Sequence, residues 1–360
     1  MPSSASRPPA PRPRARALGV GFGELPTGPH NAITDVPGVR VGHVTCWSDE
    51  PVARTGVTAI LPCPLEELFA RPPAAGVAVL NGVGELTGTI SITELGFLDT
   101  PILLTGTPSV GRVYDAVVDA MFDAVPAVGD DDVVAPVVGE CNDAWLDDSR
   151  RRNVSIADAR TAIATATDGP VPEGVVGAGT GMITMEYKGG IGTSSRVLGG
   201  VGTIGVLVLA NFGGRRQLRV GGVPVGRVLD DEEPGDEDPA HGDAGSCIGI
   251  VITDIPLDSR QLTRVARRVG LGLGRVGSIA GHGSGDIFCA VSIGHRVPRF
   301  TTGLVTSTLL ADDDIGELFA ATIDATEEAV TNALFVADTV VGRDGNTAPG
   351  LPVGRVLELL

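Results

Sequence analysis

Two apolar runs bracket one amphipathic segment, and that arrangement limits the fold more than any other feature. The runs are "CIGIVITDI" (Cys247–Ile255) and "DIFCAVSIG" (Asp286–Gly294). Neither alternates strictly between apolar and polar, so each reads as a strand covered on both faces. Between them, Asp258 to Gln261 form a capping box. Leu262, Val265, Ala266 and Val269 then follow at helical spacing. Further short apolar runs read as buried strands: Gly76–Leu80, Pro101–Gly106, Val133–Glu140 and Gly205–Gly213. A second helix is expected after Asp314 and Glu317, read as another capping box, with Ile315, Leu318, Phe319 and Ile323 on one face. Strands buried under helices, joined by glycine-rich turns, predict a layered α/β architecture.

Composition sharpens this. The 51 glycines are about twice ordinary usage, which favours tight turns and close backbone approaches over long helices. Aromatic residues make up only 4%, so the core must be aliphatic. The 360 residues suffice for one large domain or two smaller ones. Residues 1–16, basic and proline-rich with no apolar stretch, are expected to be a disordered tail. Residues 17–360 are expected to form one domain.

A net charge of −17 repels phosphate backbones, which argues against a nucleic-acid partner. Much of the charge sits in "DDEEPGDEDPAHGD" (Asp230–Asp243), expected with Ala244 and Gly245 to be a solvated acidic loop. Cys46, Cys63, Cys141, Cys247 and Cys289 are scattered, odd in number and without a CxxC spacing. They read as reduced thiols of a cytoplasmic protein. No apolar run approaches the ~18 residues that a membrane span needs.

Several familiar motifs fail on context. "GLGRVG" (Gly272–Gly277) follows a helix rather than a strand, which is the wrong setting for a dinucleotide fingerprint. "GAGTGM" (Gly177–Met182) lacks the GKS or GKT ending of a phosphate loop. Histidines 30, 43, 241, 282 and 295 show no ligand spacing, so neither a metal nor another cofactor is expected. His282, beside Ser284, is a candidate base but equally a structural histidine. Lys188 is the sole lysine, so any Schiff-base or Ser-Lys chemistry would have to use it.

Ser246 is different. It stands where the acidic stretch meets a buried strand, directly after Gly245. Position alone is also served by an ordinary strand-start serine. The chemical reading is autoproteolysis. The Ser246 hydroxyl attacks the Gly245 carbonyl, an N→O shift leaves an ester, and water releases a chain that begins with Ser246. Gly245 has no Cβ to obstruct the attack and tolerates strained angles. The liberated α-amine has a reference pKa of about 7.7–8.0 and can serve as the base for its own hydroxyl. The cut would give residues 17–245 and 246–360.

The chain also resembles the L-aminopeptidase/D-esterase family, which includes the β-peptidyl aminopeptidases. The resemblance runs from about Gly23 to Leu360. It is carried by "LPTGPHNAITDVPGVRVGHVT" (Leu25–Thr45), "RTGVTAILP" (Arg54–Pro62), "NGVGELTG" (Asn81–Gly88), "GAGTGM" with "KGGIGTSSR" (Lys188–Arg196), "ANFGGRRQL" (Ala210–Leu218), "GHGSGDIF" (Gly281–Phe288) and "VGRDG" (Val341–Gly345). It implies a self-cleaving N-terminal nucleophile hydrolase with a four-layer αββα sandwich, assembled as a homo-oligomer of two-chain units. It places the nucleophile on Ser246, an oxyanion donor on Asn211, and a supporting serine and carboxylate on Ser284 and Asp286. An amide donor at a developing oxyanion is worth about 3–4 kcal/mol. In "ECNDAWLDD" (Glu140–Asp148) Glu140 is retained as an anchor for a substrate ammonium. Asn142 stands where the family often has an aromatic residue, and Ala144 where it has glycine.

The expected activity is hydrolysis of small peptides, amides or esters that bear a free amine. An acyltransferase related to ornithine acetyltransferases is the alternative enzyme class, although those use threonine where this chain has Ser246. An unprocessed, non-enzymatic scaffold is the other alternative.

Overall fold

The computed structural model describes residues 8–130, 132–233 and 244–360. Its larger strands are β1 (Arg40–Asp49), β2 (Val52–Leu61), β3 (Pro73–Gly82), β4 (Ile102–Gly106), β5 (Val137–Cys141), β8 (Gly190–Leu198), β9 (Gly202–Asn211), β10 (Ala244–Thr253) and β11 (Gly283–Arg296). Two-residue strands form two small hairpins: β6 (Ile183–Thr184) with β7 (Tyr187–Lys188), and β12 (Val340–Val341) with β13 (Thr347–Ala348). The helices are α1 (Leu65–Ala70), α2 (Thr89–Leu95), α3 (Val110–Ala124), α4 (Ile156–Ala164), α5 (Val225–Glu232), α6 (Ser259–Val276), α7 (Ile315–Val336) and α8 (Val353–Leu359).

Two sheets stack face to face. One has the order β1-β2-β4-β5 and the other β3-β11-β10-β9-β8. Helices α3 and α4 cover the outer face of the first sheet, and α6 and α7 cover the outer face of the second. The result is the expected αββα sandwich. Strands β10 and β11 pair in parallel and are joined by α6, the unit that the sequence shows most clearly. All other pairs in this sheet are antiparallel.

The buried faces explain the lack of alternation. Ile248, Ile250 and Ile252 of β10 pack between the sheets with Leu207, Leu209, Ile287 and Cys289. Cys247, Val251, Ala210, Phe288 and Ala290 face the helices with Val265, Val269 and Leu334. Each central strand therefore has an apolar neighbour on both sides.

Local expectations hold unevenly. The α6 capping box is formed: Gln261 N–H donates to Asp258 Oδ1 at 2.7 Å and Asp258 N–H to Gln261 Oε1 at 3.1 Å. The one expected at α7 is not. Asp312–Asp314 already form a 3-10 turn, so Asp314 has helical angles (φ −93°, ψ −3°) and makes no side-chain cap. The stretch Val133–Glu140 is a strand only from Val137, in β5.

The expected disordered tail is corrected for residues 8–16. Arg12 N–H donates to Val336 O at 2.9 Å, Arg14 pairs with Glu173 at 2.8 Å, and Arg16 pairs with buried Glu328 at 2.7 Å. The arginines that make this stretch look solvated instead fasten it to α7 and to the loop before the 3-10 turn Gly177–Gly181. The acidic loop is corrected at its start as well. Asp230, Asp231 and Glu232 finish α5, where Arg216 bonds the two aspartates at 2.8 and 2.7 Å and Arg355 bonds Glu232 at 2.6 Å. At its other end, Ala244 and Gly245 already belong to β10. The remainder, residues 234–243, lies outside the described residues, as do residues 1–7. Among the described residues, no helix is long and apolar enough to cross a membrane.

Candidate active site

Three neighbouring strands carry the residues singled out in the sequence. Across the antiparallel β9–β10 pair, Ser246 is in register with Asn211. Across the parallel β10–β11 pair, Gly245, Ser246 and Cys247 are in register with Ser284, Gly285 and Asp286. Side chains alternate along a strand. Since Ile248 and Leu209 face the space between the sheets, Ser246 and Asn211 share that face. Ser284 and Asp286 share the opposite face with Cys247. They can address the Ser246 backbone nitrogen, which lies in the plane of the sheet, rather than its hydroxyl.

Ser246 is only 5% exposed. Its hydroxyl donates to the carbonyl oxygen of Gly245 at 2.6 Å, so the oxygen already lies against the bond before it. Gly245 is required for a reason other than strain: its φ is not in the left-handed region. A Cβ there would lie 2.8 Å from Phe212 Cα and 2.9 Å from Asn211 O, a backbone contact that cannot rotate away.

The Asn211 amide is oriented at both ends. Ile183 N–H donates to Oδ1 at 2.9 Å, and Nδ2 donates to Asn142 O at 3.2 Å. A backbone donor on one side and a backbone acceptor on the other fix which end is oxygen. One amide hydrogen remains for a further acceptor.

Asp286 is fully buried, and neither carboxylate oxygen has a hydrogen-bond partner of normal geometry among the described residues. Burial raises its pKa, and the nearby Ser284 hydroxyl pulls the other way. The neighbouring Cys247 thiol is pushed well up, first by its own burial and then by Asp286.

Glu140 reaches this site from the other sheet. The sheets close tightly at Gly139, where a Cβ would meet Ile248 Cγ2 at 3.0 Å. Glu140 is buried, accepting from Glu85 N–H at 2.9 Å through Oε1 and from the Thr107 hydroxyl through Oε2. Between Glu140 and Gly285 of β11 lies one glycine, Gly84. A Cβ on Gly84 would be 3.2 Å from both Glu140 Oε1 and Gly285 Cα. Gly285 is the register partner of Ser246, so the carboxylate sits one thin glycine layer from the strand position beside the serine. Asn142 is exposed and caps its own turn, accepting from Ala144 N–H at 3.0 Å, while its carbonyl holds Asn211.

Two features escaped the sequence reading. Asp143 is buried, with Oδ2 accepting from Thr55 and no partner for Oδ1 among the described residues. Burial, followed by Asp147, pushes its carboxyl up to about 7. Its neighbours Asn142 and Glu140 were visible in the sequence, but an isolated aspartate in an exposed-looking stretch gave no sign of burial. Lys188 is also fully buried, and Nζ donates to three carbonyls, Gly179, Met182 and Gly189, at 3.0, 2.6 and 2.7 Å. With all three donors engaged, it is not a free base for a Ser-Lys mechanism.

The rejected motifs remain rejected. Gly272–Gly277 is the end of α6, closed by Gly277 at φ 109° with its N–H on Gly274 O. Gly177–Gly181 is a buried 3-10 turn. His282 is exposed on the turn before β11.

Residues 31–348 match Peptidase family S58. The chain belongs to that family. This S58 peptidase is 42% identical to beta-peptidyl aminopeptidase BapA of Sphingosinicella microcystinivorans, covering 95% of this chain and 90% of the relative. It is 39% identical to beta-peptidyl aminopeptidase BapA of Sphingosinicella xenopeptidilytica, over 95% of this chain and 89% of the relative. Among solved structures, the S58 peptidase superposes on L-aminopeptidase D-Ala-esterase/amidase from Ochrobactrum anthropi with a TM-score of 0.90 at 39% identity, covering 97% of this chain and 98% of the other. That structure is described as a new variant among the Ntn hydrolase fold, a prototype for the serine aminopeptidases. A Burkholderia sp. beta-aminopeptidase gives a TM-score of 0.86 at 43% identity, over 96% and 98% of the two chains. The S58 peptidase is therefore a hydrolase of the aminopeptidase class, on an N-terminal-nucleophile fold.

Proposed function

We propose that the S58 peptidase cuts itself between Gly245 and Ser246 and then uses Ser246 as an N-terminal nucleophile on small peptides, amides or esters with a free amine. The observation that carries this reading is the Ser246 hydroxyl, held 2.6 Å from the Gly245 carbonyl oxygen at the head of a buried strand, opposite Asn211. In the first reaction Oγ adds to the Gly245 carbonyl carbon and the C–N bond breaks. An ester and the Ser246 amine result. Water then hydrolyses the ester, leaving Gly245 as a carboxylate and restoring the hydroxyl. In turnover the same oxygen adds to the substrate carbonyl carbon, the Ser246 amine takes its proton and passes it to the leaving amine or alcohol as the scissile bond breaks, Asn211 Nδ2 donates to the oxyanion, and water then hydrolyses the acyl ester and restores the hydroxyl.

Asp286 supports this assignment. A fully buried carboxylate that pairs with no cation among the described residues is costly. Cleavage creates an amine on the adjacent strand, the missing partner by charge and position. Glu140 is assigned to the substrate ammonium, because each of its oxygens keeps acceptor capacity after its present bond. Asn142 lines the same approach through its carbonyl bond to Asn211. The assembly is read as a cytoplasmic homo-oligomer, for which the apolar residues Phe300, Leu304 and Val305, all strongly exposed, supply contact surface.

Intact mass and N-terminal sequencing of purified protein test the cut. The expected result is two chains, the smaller beginning Ser-Cys-Ile-Gly. A stable, active single chain refutes the reading.

A further inference from the structure

The hairpin β6–β7 lies along the end of β9 that carries Asn211. Three of its groups are bonded there: Ile183 N–H to Asn211 Oδ1 at 2.9 Å, the Thr184 hydroxyl to Ala210 O at 2.8 Å, and Met185 N–H to Phe212 O at 2.7 Å. Its two-residue turn, Met185 and Glu186, has φ of 53° and 60°, which Asn-Gly or Gly-Gly would adopt easily and these residues do not. Such a turn persists only where its surroundings determine it. The bonds to β9 hold the turn side, and Lys188 holds the two ends of the hairpin. It pairs with Ile183 across the hairpin, and its Nζ holds Met182 O, the carbonyl of the peptide whose N–H is Ile183 N–H. The same Nζ bonds Gly179 O and Gly189 O, on either side of the hairpin. No carboxylate pairs with it among the described residues.

We propose that Lys188 is a positioning residue that sets the Asn211 side-chain amide: its ammonium fixes the Met182–Ile183 peptide, whose N–H fixes Asn211 Oδ1 and so aims Nδ2. This rests on the reading of Asn211 as the oxyanion donor. Burial pulls the Lys188 pKa down to about 7. Three carbonyls, one for each ammonium hydrogen, oppose that pull. An ammonium is used rather than a neutral amide because charge-assisted hydrogen bonds are the stronger restraint on a strained turn.

The experiment compares Lys188→Met, Asn211→Ala, the double variant, and Ser246→Ala as a control on the underlying reading. Methionine keeps most of the length and removes the donors; it also deprives three buried carbonyls of a donor, which costs stability, so folding of each variant is checked by circular dichroism. For an amino-acyl p-nitroanilide, Lys188→Met is expected to lower kcat by about 10²-fold, in the range seen for losing an oxyanion donor. KM is expected to move by less than about threefold. In the Asn211→Ala background the same change is expected to add less than about threefold, because the amide it positions is already gone. The rate of self-cleavage, followed by intact mass, is read in the same four proteins. Lys188→Gln, which retains neutral donors, should recover part of the loss.

Unchanged kcat in a folded Lys188→Met variant overturns the proposal, as do losses that multiply in the double variant. Failure of both Lys188 variants to fold also overturns it, making Lys188 a staple of the fold without a separable role. Activity retained by Ser246→Ala would instead sink the nucleophile reading beneath it.

Discussion

Ser246 and Asn211 face each other in register across β10 and β9, on the pleat that looks into the space between the two sheets. Cross-strand neighbours of this kind bring their side chains within direct reach. A hydroxyl and an oriented amide donor therefore stand on one face of adjacent strands, where strand pairing alone makes them neighbours. Replacing Ser246 by alanine removes the oxygen assigned to both reactions. Ser246→Ala is expected to stay a single chain and to lose turnover by about 10⁴-fold or more. Intact mass and an amino-acyl amide assay check the two losses separately, and wild-type turnover by this variant would exclude Ser246.

Gly245 offers a test based on packing. A Cβ at this position meets the Phe212 backbone at 2.8 Å, and backbone has no rotamer with which to retreat. In a Ser246→Ala background, where no cut can intervene, Gly245→Ala is expected to cost about 1–3 kcal/mol of stability. Denaturant unfolding of the single chain measures this. An unchanged midpoint would mean that the strand head yields more easily than its contacts indicate.

The pH profile should report the Ser246 amine. Only the neutral amine can accept the proton, so kcat/KM is expected to rise with pH through an ionisation near or above the ordinary α-amine value of about 8. The charge of Asp286 favours the ammonium and holds that ionisation up. Asp286→Asn should therefore move the rising limb to lower pH. A limb that stays in place would separate Asp286 from the amine.

Stability has its own pH dependence at His43. Burial pulls its pKa down to about 4, while its Nδ1 meets the Thr58 hydroxyl at 2.9 Å and its Nε2 is buried with no hydrogen-bond partner among the described residues. The unfolded chain takes the proton near 6.5, well before the folded one. The contribution is therefore complete above about pH 6.5 and is lost as pH falls toward 4, on the order of 3 kcal/mol. Asp143 and Glu173, each pushed up to about 7 by burial, act in the opposite sense over the same range. The measurement is thus a difference: Tm of wild type minus Tm of His43→Gln, from pH 7 to pH 4. It should shrink as the pH falls, and a constant difference would contradict the assignment.

The β10–α6–β11 unit was legible because apolar content, a capping box and helical spacing all act within a few residues of one another. What was not legible depends on contacts distant in the chain. Nothing local shows that Gly245 must be glycine because Phe212 crosses it, or that Gly84 and Gly285 thin the wall between Glu140 and the serine strand. Asp314 had the right spacing for a cap, but the turn before it had already taken up helical angles. Arg12, Arg14 and Arg16 read as a solvated tail because the groups that tie them to the rest of the fold, Leu351 O for Arg12, Glu173 for Arg14 and Glu328 for Arg16, lie more than 150 residues away. Lys188 was conspicuous as the sole lysine, but its burial and its three carbonyls follow only from how the hairpin docks.

The last test concerns Glu140. A substrate ammonium entering a buried site must find a fixed negative partner, or its desolvation goes uncompensated. Glu140 is the carboxylate that the Gly84–Gly285 contact brings against the serine strand, held in place by Glu85 N–H and the Thr107 hydroxyl. Glu140→Gln keeps the shape and can keep an oxygen toward Glu85 N–H, so the fold should tolerate it. Self-cleavage should proceed normally, because the Gly245 carbonyl presents no free amine. Turnover of an amino-acyl amide should fall by about 10–10²-fold, the scale of one lost charge-assisted bond. The N-acetylated amide, which has no ammonium to lose, should change little. The informative quantity is the ratio of kcat/KM for the free and acetylated substrates, since a general loss of activity cancels in it. A ratio that stays at the wild-type value in the Gln variant would return Glu140 to a purely structural role, bracing Glu85 and Thr107 at the edge of the first sheet.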